Sequence, residues 1–503
     1  MANPLFDTLF GRHADSDAPF LHLGDGRTIT YRAFVSMSGR YANALTARGL
    51  EAGDRVAAQI DKSAEALALY AACARAGLVF LPLNTAYTAD EVGYFVSDSG
   101  AGLFVCDPRR ADDMARVAAA AGSKLDTLGG DGAGTLADAA AAATDAFDPV
   151  PRSESDLAAF LYTSGTTGRS KGAMLSQGNL LSNSRTLAEA WAFTADDVLL
   201  HALPIFHTHG LFVATNVTLT AGGSMIFLPK FDLDQMLAHL SKATTLMGVP
   251  TFYTRMLSDP RFTRDAAAHM RLFVSGSAPL LAETHRAFTE RTGHRILERY
   301  GMTETNMNTS NPYDGDRRPG TVGLPLPGVE LRVMDNGSEV ARGETGTIEV
   351  RGPNVFQGYW NMPEKTAEEL SADGWFITGD LGTQSEDGYV TIVGRGKDLI
   401  ISGGFNIYPK ELELLLDDQP GVLESAVIGV PHPDFGESPV ALLVAAPGEM
   451  PDLDAIRATI KRDLARFKHP AVIEVIDELP RNTMGKVQKN VLREQYKAVL
   501  QAS

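Results

Sequence analysis

The stretch Leu161-Tyr162-Thr163-Ser164-Gly165-Thr166-Thr167-Gly168-Arg169-Ser170-Lys171-Gly172 gathers hydroxyls and glycines between an apolar run and a lysine. Glycines let backbone N–H groups close on phosphate oxygens, hydroxyls add donors, and Lys171 adds charge. In physical terms this is a cradle for a triphosphate. A Ser/Thr/Gly-rich surface loop with one solvated lysine has the same composition, and the loop alone does not separate the two. The spacing G-x-x-x-x-G-K-[ST] of the P-loop nucleoside triphosphatases is absent.

The elements that must position this loop follow an α/β pattern, short apolar runs alternating with helix-length amphipathic stretches. Residues 53–60 read as a strand, 63–76 as a helix, 78–84 as a second strand and 157–162 as the strand that delivers the loop. Residues 118–143 read as an Ala/Gly-rich surface region with one helix. Turn signals at Asp335-Asn336-Gly337 and Glu386-Asp387-Gly388 punctuate a β-rich stretch. After Gly394-Arg395-Gly396-Lys397-Asp398 the pattern changes: a helix over 409–417, strands over 425–430 and 439–445, a helix over 453–465 and a short terminal helix after Lys486. The expectation is an α/β fold with two domains. Residues 1–396 form a large N-terminal domain of α/β subdomains plus a β-rich subdomain, and residues 397–503 a small, mobile α+β lid.

The bulk numbers bound the function. A chain of 503 residues exceeds one ordinary core, and 44% hydrophobic with 21% charged residues is a globular balance. A net charge of -17 argues against nucleic-acid and anionic-membrane partners, which favour Lys/Arg excess. With only Cys73 and Cys106, neither a disulfide framework nor a Cys-rich metal site is expected. The N-terminal residues lack a basic-then-apolar leader, and no apolar run approaches the ~20 residues of a membrane span. The expected location is the cytoplasm.

Four further stretches settle the choice left open by the loop. Tyr300-Gly301-Met302-Thr303-Glu304, Gly374-Trp375-Phe376-Ile377-Thr378-Gly379-Asp380, Gly394 to Asp398 with Ser402-Gly403-Gly404, and Pro480-Arg481-Asn482-Thr483-Met484-Gly485-Lys486 follow the loop in order. The set resembles the signatures of the adenylate-forming superfamily of acyl-CoA synthetases, luciferases and carrier-loading adenylation domains. The resemblance covers essentially the whole chain.

The resemblance implies ATP and coenzyme A as co-substrates, Mg²⁺ as cofactor, and a reaction in two halves. A carboxylate is already a nucleophile, so its attack on the α-phosphate needs positioning and charge stabilisation rather than a base. It implies that Thr163, Ser164, Gly165, Thr166, Thr167, Gly168 and Lys171 hold the β- and γ-phosphates. Glu304 would bind the metal and Thr303 the α-phosphate. Ser277, Ala278 and Pro279, with Glu298, Arg299, Tyr300, Gly301 and Met302, would wall the adenine and acyl pockets, Tyr300 stacking on the base. Asp380 and Arg395 would hold the ribose. Lys397 would be a hinge about which the C-terminal domain rotates after pyrophosphate leaves, exchanging Lys486 for a pantetheine tunnel at Ser402, Gly403 and Gly404. Lys486 would neutralise charge between the carboxylate and the α-phosphate. Related synthetases also imply an acetyltransferase and a deacetylase acting on that lysine.

The acid is read from Val249-Pro250-Thr251-Phe252-Tyr253-Thr254-Arg255-Met256, Glu298-Arg299-Tyr300, and Pro204-Ile205-Phe206-His207-Thr208-His209. Arg255, Arg299 and His207 could receive a second carboxylate, since the planar guanidinium matches carboxylate geometry. Spacing leaves open that Arg255 lies on the outer face of its helix and that Arg299 pairs with Glu298 or another acid. Together with Ser277, Met302 and Met307 these residues resemble the malonyl-CoA synthetase pattern. That implies malonate as substrate, through a malonyl-adenylate. Methylmalonate is expected to react more slowly, Met307 and Thr208 leaving room for a methyl. The alternatives are a medium-chain or aryl acid, or a carrier protein in place of coenzyme A. Lys486→Ala is expected to lose most of the adenylation half-reaction while keeping much of the thioester half-reaction from supplied adenylate. Equal loss in both halves, measured separately, would refute the assignment.

Overall fold

The computed structural model describes residues 2–163, 170–402, 405–432, 435–482 and 485–500. The chain forms two compact units, Met1–Glu330 with Val350–Phe376, and Leu331–Glu349 with Ile377–Ser503.

The first unit holds two sheets. In the nine-stranded sheet the parallel strands Leu297–Met302, Leu272–Ser275, Thr245–Gly248, Val198–His201, Ser224–Phe227 and Pro19–Leu23 lie side by side. Antiparallel strands flank them at both ends, Asn306–Ser310 and Leu324–Pro325 on one side and Thr28–Thr30 on the other. The six-stranded sheet runs Lys124–Thr127, Leu103–Cys106, Arg55–Gln59, Val79–Pro82, Leu157–Thr163, Lys171–Ser176, with only the last pair antiparallel. Strands such as Leu103–Cys106 and Leu272–Ser275 are apolar at almost every position because helices cover parallel sheets on both faces. The helix Ala64–Ala76 starts where Ser63 caps Ala66 N–H and stops at Gly77 in the left-handed region.

The region read as a surface segment with one helix also contributes a strand. Lys124–Thr127 pairs with Leu103–Cys106 at the sheet edge, and Asp126 there is ion-paired with Arg48. Four residues beside Ala-rich helices give too short a pattern to stand out.

In the second unit a five-stranded sheet has the order Ser338–Glu339, Glu330–Asp335, Gly346–Arg351, Phe376–Gln384, Val390–Arg395. A second sheet pairs Val422–His432 with Gly436–Ala445, and Val472–Ile476 runs parallel to the latter. Alternation along these strands divides the core in two. Val427, Ala441 and Leu443 pack with Leu412, Leu416, Ile456 and Ile460 from the helices Pro409–Asp417 and Leu453–Asp463. Ala426, Ile428, Val430 and Leu442 pack with Leu492 and Tyr496 of Lys489–Tyr496.

The strand Val198–His201 is anchored at its start by Asp197, a buried carboxylate. Arg271 Nε and Nη2 each donate to it at 2.7 Å, Thr244 Oγ1 at 2.7 Å and Thr194 N–H at 2.8 Å. Burial pushes this carboxyl's pKa up, but the Arg271 and Thr244 hydrogen bonds pull it further down, to below its ordinary value. Its stabilising effect is therefore full above the unfolded carboxyl pKa of about 3.9 and is lost as pH falls through the lower folded value. Asp197→Ala, which leaves Arg271 without its partner, is expected to destabilise the first unit by about 3–5 kcal/mol in denaturant melts at pH 7. The gap between the variant and the parent protein should narrow in acid.

Candidate active site

Strand pairing sets up the candidate phosphate end. Thr163 and Lys171 are cross-strand partners at the end of the antiparallel pair, while Ser164, Gly165, Thr166, Thr167 and Gly168 lie outside the described residues. Glu304 sits in the turn between Leu297–Met302 and Asn306–Ser310 and is only 5% exposed. It accepts from Thr163 Oγ1 at 3.4 Å and from the Tyr359 hydroxyl at 3.1 Å. Tyr359 also reaches Glu369 Oε2 at 2.6 Å, and Lys171 Nζ lies 3.1 Å from both Glu369 oxygens and 4.1 Å from the Tyr359 ring centroid. Thr163, Lys171 and Glu304 are thus brought together, along with Tyr359 and Glu369, which sequence reading did not select. The signal for them was weak: an aromatic pair, Tyr359-Trp360, just before a helix opening at Pro363.

Glu304 is a buried carboxylate taking hydrogen bonds from hydroxyls, a donor set suited to a hard cation shared with phosphate oxygens. Among the described residues no cluster of three or more His, Cys, Asp or Glu could hold a metal without such a co-ligand.

The other end of the site is built where the parallel strands finish, the usual ligand crevice of such sheets. Arg299 is 4% exposed on Leu297–Met302, and its Nε and Nη2 have no hydrogen-bond partner among the described residues. Burial lowers its pKa to about 9. Its neighbour Glu298, alternating to the opposite face, is taken by His285 Nδ1 at 3.1 Å and Gly320 N–H at 3.3 Å. The guanidinium lies against Gly276, where an added Cβ would fall 2.2 Å from Arg299 Cζ. Close by in sequence, Ser277 adopts φ +71°, a left-handed conformation uncommon for a residue with a side chain. Its hydroxyl lies 3.1 Å from His209 Nδ1.

His209 opens the π-helical turn His209–Thr215, a distortion frequent at functional sites. It is buried, and its Nε2 has no hydrogen-bond partner among the described residues. Burial first, then the Arg299 charge, hold its pKa far below the ordinary imidazole value, so the ring is neutral. Below the turn, His201 Nε2 donates to Gly210 C=O at 2.9 Å, and Lys62 Nζ sits 2.8 Å from His201 Nδ1 and 2.8 and 2.9 Å from the carbonyls of His201 and Leu203. Sequence reading chose His207, whose Nδ1 accepts from His209 N–H at 3.3 Å; the imidazole beside Ser277 is His209. The H-x-H spacing was the only clue.

The remaining first-unit residues divide by exposure. Met307 is buried and crowds Gly301; Tyr300, Met302, Thr303 and Ala278 are half-buried, and Pro279 is exposed. Arg255 is exposed, its guanidinium 5.7 Å from the Phe231 ring centroid, and shares no hydrogen bond with Arg299.

In the second unit Asp380 and Arg395 are cross-strand partners with Nε donating to Oδ1 at 2.6 Å. Lys397 lies in the turn Gly396–Asp398, whose Asp398 binds Arg493 at 2.6 Å. Ser402 ends the strand Ile400–Ser402, and Gly403 and Gly404 are outside the described residues. Lys486 is exposed at the end of a turn closed by Asn482 N–H to Lys486 C=O at 2.9 Å and Lys486 N–H to Asn482 Oδ1 at 3.0 Å. Lys489, bonded to Glu413 at 2.5 Å, and Arg481, paired with Glu424, anchor the turn on either side.

These pieces agree with the family comparisons. The AMP-binding enzyme profile matches residues 10–360, and the AMP-binding enzyme C-terminal domain profile residues 411–486. The chain belongs to the AMP-binding enzyme family, and the activity its sites support is ATP-dependent acid–CoA ligation. It is 60% identical to ATP-bound MatB from Rhodopseudomonas palustris, with a TM-score of 0.97 over 99% of this chain and 100% of that one. A malonate–CoA ligase of Arabidopsis thaliana is 35% identical over 474 residues, 88% of this chain and 78% of its own. A feruloyl-CoA synthase of Amycolatopsis sp is 37% identical over 476 residues, 94% of each chain.

Gly276→Ala probes the pocket, because the three atoms nearest the new methyl all belong to the end of the Arg299 side chain. The expected result is an unchanged melting temperature with a fall of roughly tenfold or more in kcat/KM for the acid.

Proposed function

We propose that the acid is malonate and that Arg299 receives its distal carboxylate. The observation behind this is a buried guanidinium with two nitrogens, Nε and Nη2, unpartnered and no carboxylate of the described residues within ion-pair distance. A substrate anion would meet those donors in a matching fork. With the Ser277 hydroxyl donating to Nδ1, neutral His209 would carry its proton on Nε2 and add a third donor. Exposed Arg255 would contribute long-range attraction, and Met307 and Ser277 would line the acyl space, His207 supporting the backbone of His209. The malonate–CoA ligase relative is in keeping with this reading. A feruloyl tail, uncharged at its far end, would leave Arg299 desolvated and unpaired.

In the proposed reaction a malonate carboxylate oxygen bonds to the α-phosphorus of ATP, and the α–β bridging bond breaks to release pyrophosphate. Thr163 to Gly168 and Lys171 hold the β- and γ-phosphates, and Thr303 and Lys486 take up charge around the α-phosphate. Glu304 would hold Mg²⁺, which supplies charge neutralisation along the triphosphate. Asp380, released from Arg395 in part, accepts from the ribose hydroxyls. The thiol of coenzyme A then attacks the acyl carbon, and AMP leaves. We keep 1–396 and 397–503 as the moving parts, with the hinge at Lys397, a junction lying between the two matched profiles. Exposed Lys486 would be open to an acetyltransferase and a deacetylase. A cytoplasmic location accords with the unpaired Cys73 and Cys106 and with the lack of any described helix long and apolar enough to cross a membrane.

The test is AMP release with ATP, Mg²⁺ and coenzyme A across malonate, methylmalonate, acetate, octanoate, ferulate and 4-coumarate. Malonate is expected to lead, methylmalonate to follow. Arg299→Met should cost malonate about 10²-fold or more in kcat/KM while leaving acetate nearly unchanged. A lead for ferulate or 4-coumarate would overturn malonate and leave the ligase chemistry standing.

A further inference from the structure

Glu369 has no part in the reaction as written, yet two lysines and a tyrosine hydroxyl engage it. It closes the helix Pro363–Glu369. Lys171 Nζ donates to both of its oxygens at 3.1 Å, Lys365 Nζ lies 2.9 Å from Oε1, and the Tyr359 hydroxyl donates to Oε2 at 2.6 Å. The Lys171 and Glu369 side chains are 12% and 22% exposed, so solvent screens the pair only partly. We propose that Glu369 is a built-in competitor of the β- and γ-phosphates for Lys171, yielding the lysine as ATP binds and reclaiming it as pyrophosphate leaves. This rests on the reading that Lys171 holds those phosphates.

The geometry supports an exchange rather than a permanent pair. An ammonium has three N–H groups, and Glu369 engages Nζ through both of its oxygens. Phosphate and carboxylate oxygens make the same kind of acceptor, so a triphosphate reaching Lys171 competes for those groups. Glu369 does not depend on Lys171 for its position, since Tyr359 and Lys365 hold it independently. Burial pushes the pKa of its carboxyl up, but the hydrogen bonds from Tyr359, Lys365 and Lys171 bring it below the ordinary value, so it stays ionised at neutral pH. A fixed anion beside the phosphate cation weakens binding of every phosphate ligand, product included. It would therefore trade affinity for ATP against release of pyrophosphate.

The experiment uses the full chain with acid and coenzyme A saturating, and reads the KM for ATP and the inhibition constant for pyrophosphate. Glu369→Gln, close to isosteric, is expected to lower both by about three- to fivefold, the scale of a partly screened ion pair. Glu369→Asp, which draws the charge back by one methylene, should lower both by less, and it serves as the readout if the Gln variant folds poorly. Lys171→Met, measured in parallel, should raise both. If Lys171→Met raises them while the Glu369 variants leave either constant unchanged or higher, the competition is refuted and the phosphate role of Lys171 stands. If Lys171→Met changes neither, the phosphate role itself fails and the competition with it.

Discussion

A guanidinium closed off from water, with two of its nitrogens unpaired among the described residues, is the constraint around which the proposed acyl end is organised. Leaving such donors without partners is expensive, and a fold that needed only stability would have put an apolar side chain or a carboxylate beside Arg299. The local sequence does neither. Glu298, the nearest acid, alternates to the other face of the strand and is taken by His285. Gly276 supplies a surface without a side chain, against which the guanidinium lies flat. Ser277 accepts a strained backbone conformation and brings its hydroxyl to His209. Strain and unpaired donors together are the mark of a site whose balance comes from a bound partner.

The phosphate end solves the opposite problem. There, carboxylates and ammonium groups are all present, in a chain with excess negative charge. Lys171 is balanced by Glu369, and Glu304 is surrounded by hydroxyls. The two ends therefore differ in how they treat an anion. The proposed acyl end presents uncompensated donors and would gain selectivity, because an uncharged tail would leave them bare. The proposed phosphate end presents a compensated cation and would gain reversibility, because an arriving anion would replace one already there.

Much of this was legible in the sequence, and what was missed has a physical pattern. Signature residues adjacent in the chain were found, and Thr163, Lys171 and Glu304 do meet. The helix Ala64–Ala76, with its serine cap and glycine stop, and the strands of the second unit were readable because their patterns are long or capped. Lys124–Thr127 was not, being four residues at a sheet edge. Glu369 and Tyr359 act through tertiary contacts almost 200 residues from Lys171 in the chain, a distance no local pattern spans. Arg255 and Arg299 looked equivalent as residues, and burial separates them: one lies exposed by Phe231, the other sealed. Of His207 and His209, two residues apart, the second opens the π-helical turn His209–Thr215, a geometry that composition does not announce.

The second unit adds a different kind of order. Its functional groups are each held by contacts inside the unit: Asp380 by Arg395 across a strand pair, Asp398 by Arg493, and the Lys486 turn by Asn482, with Arg481–Glu424 and Lys489–Glu413 on either side. Lys486 itself projects from a turn whose Gly485 takes φ +75°, a backbone shape glycine adopts without strain. Under the proposed reading, in which Lys486 serves only one of two half-reactions, this arrangement would be an advantage. The hydrogen bonds between Asn482 and Lys486 are local, so presenting or withdrawing the ammonium would not require breaking them. The first unit is built on the same economy, with the unpaired donors of Arg299 and the fixed carboxylate of Glu369 in place before either substrate arrives. Preorganisation of this kind is what a reaction without a general base relies on, since charge placement is nearly all the catalysis it has.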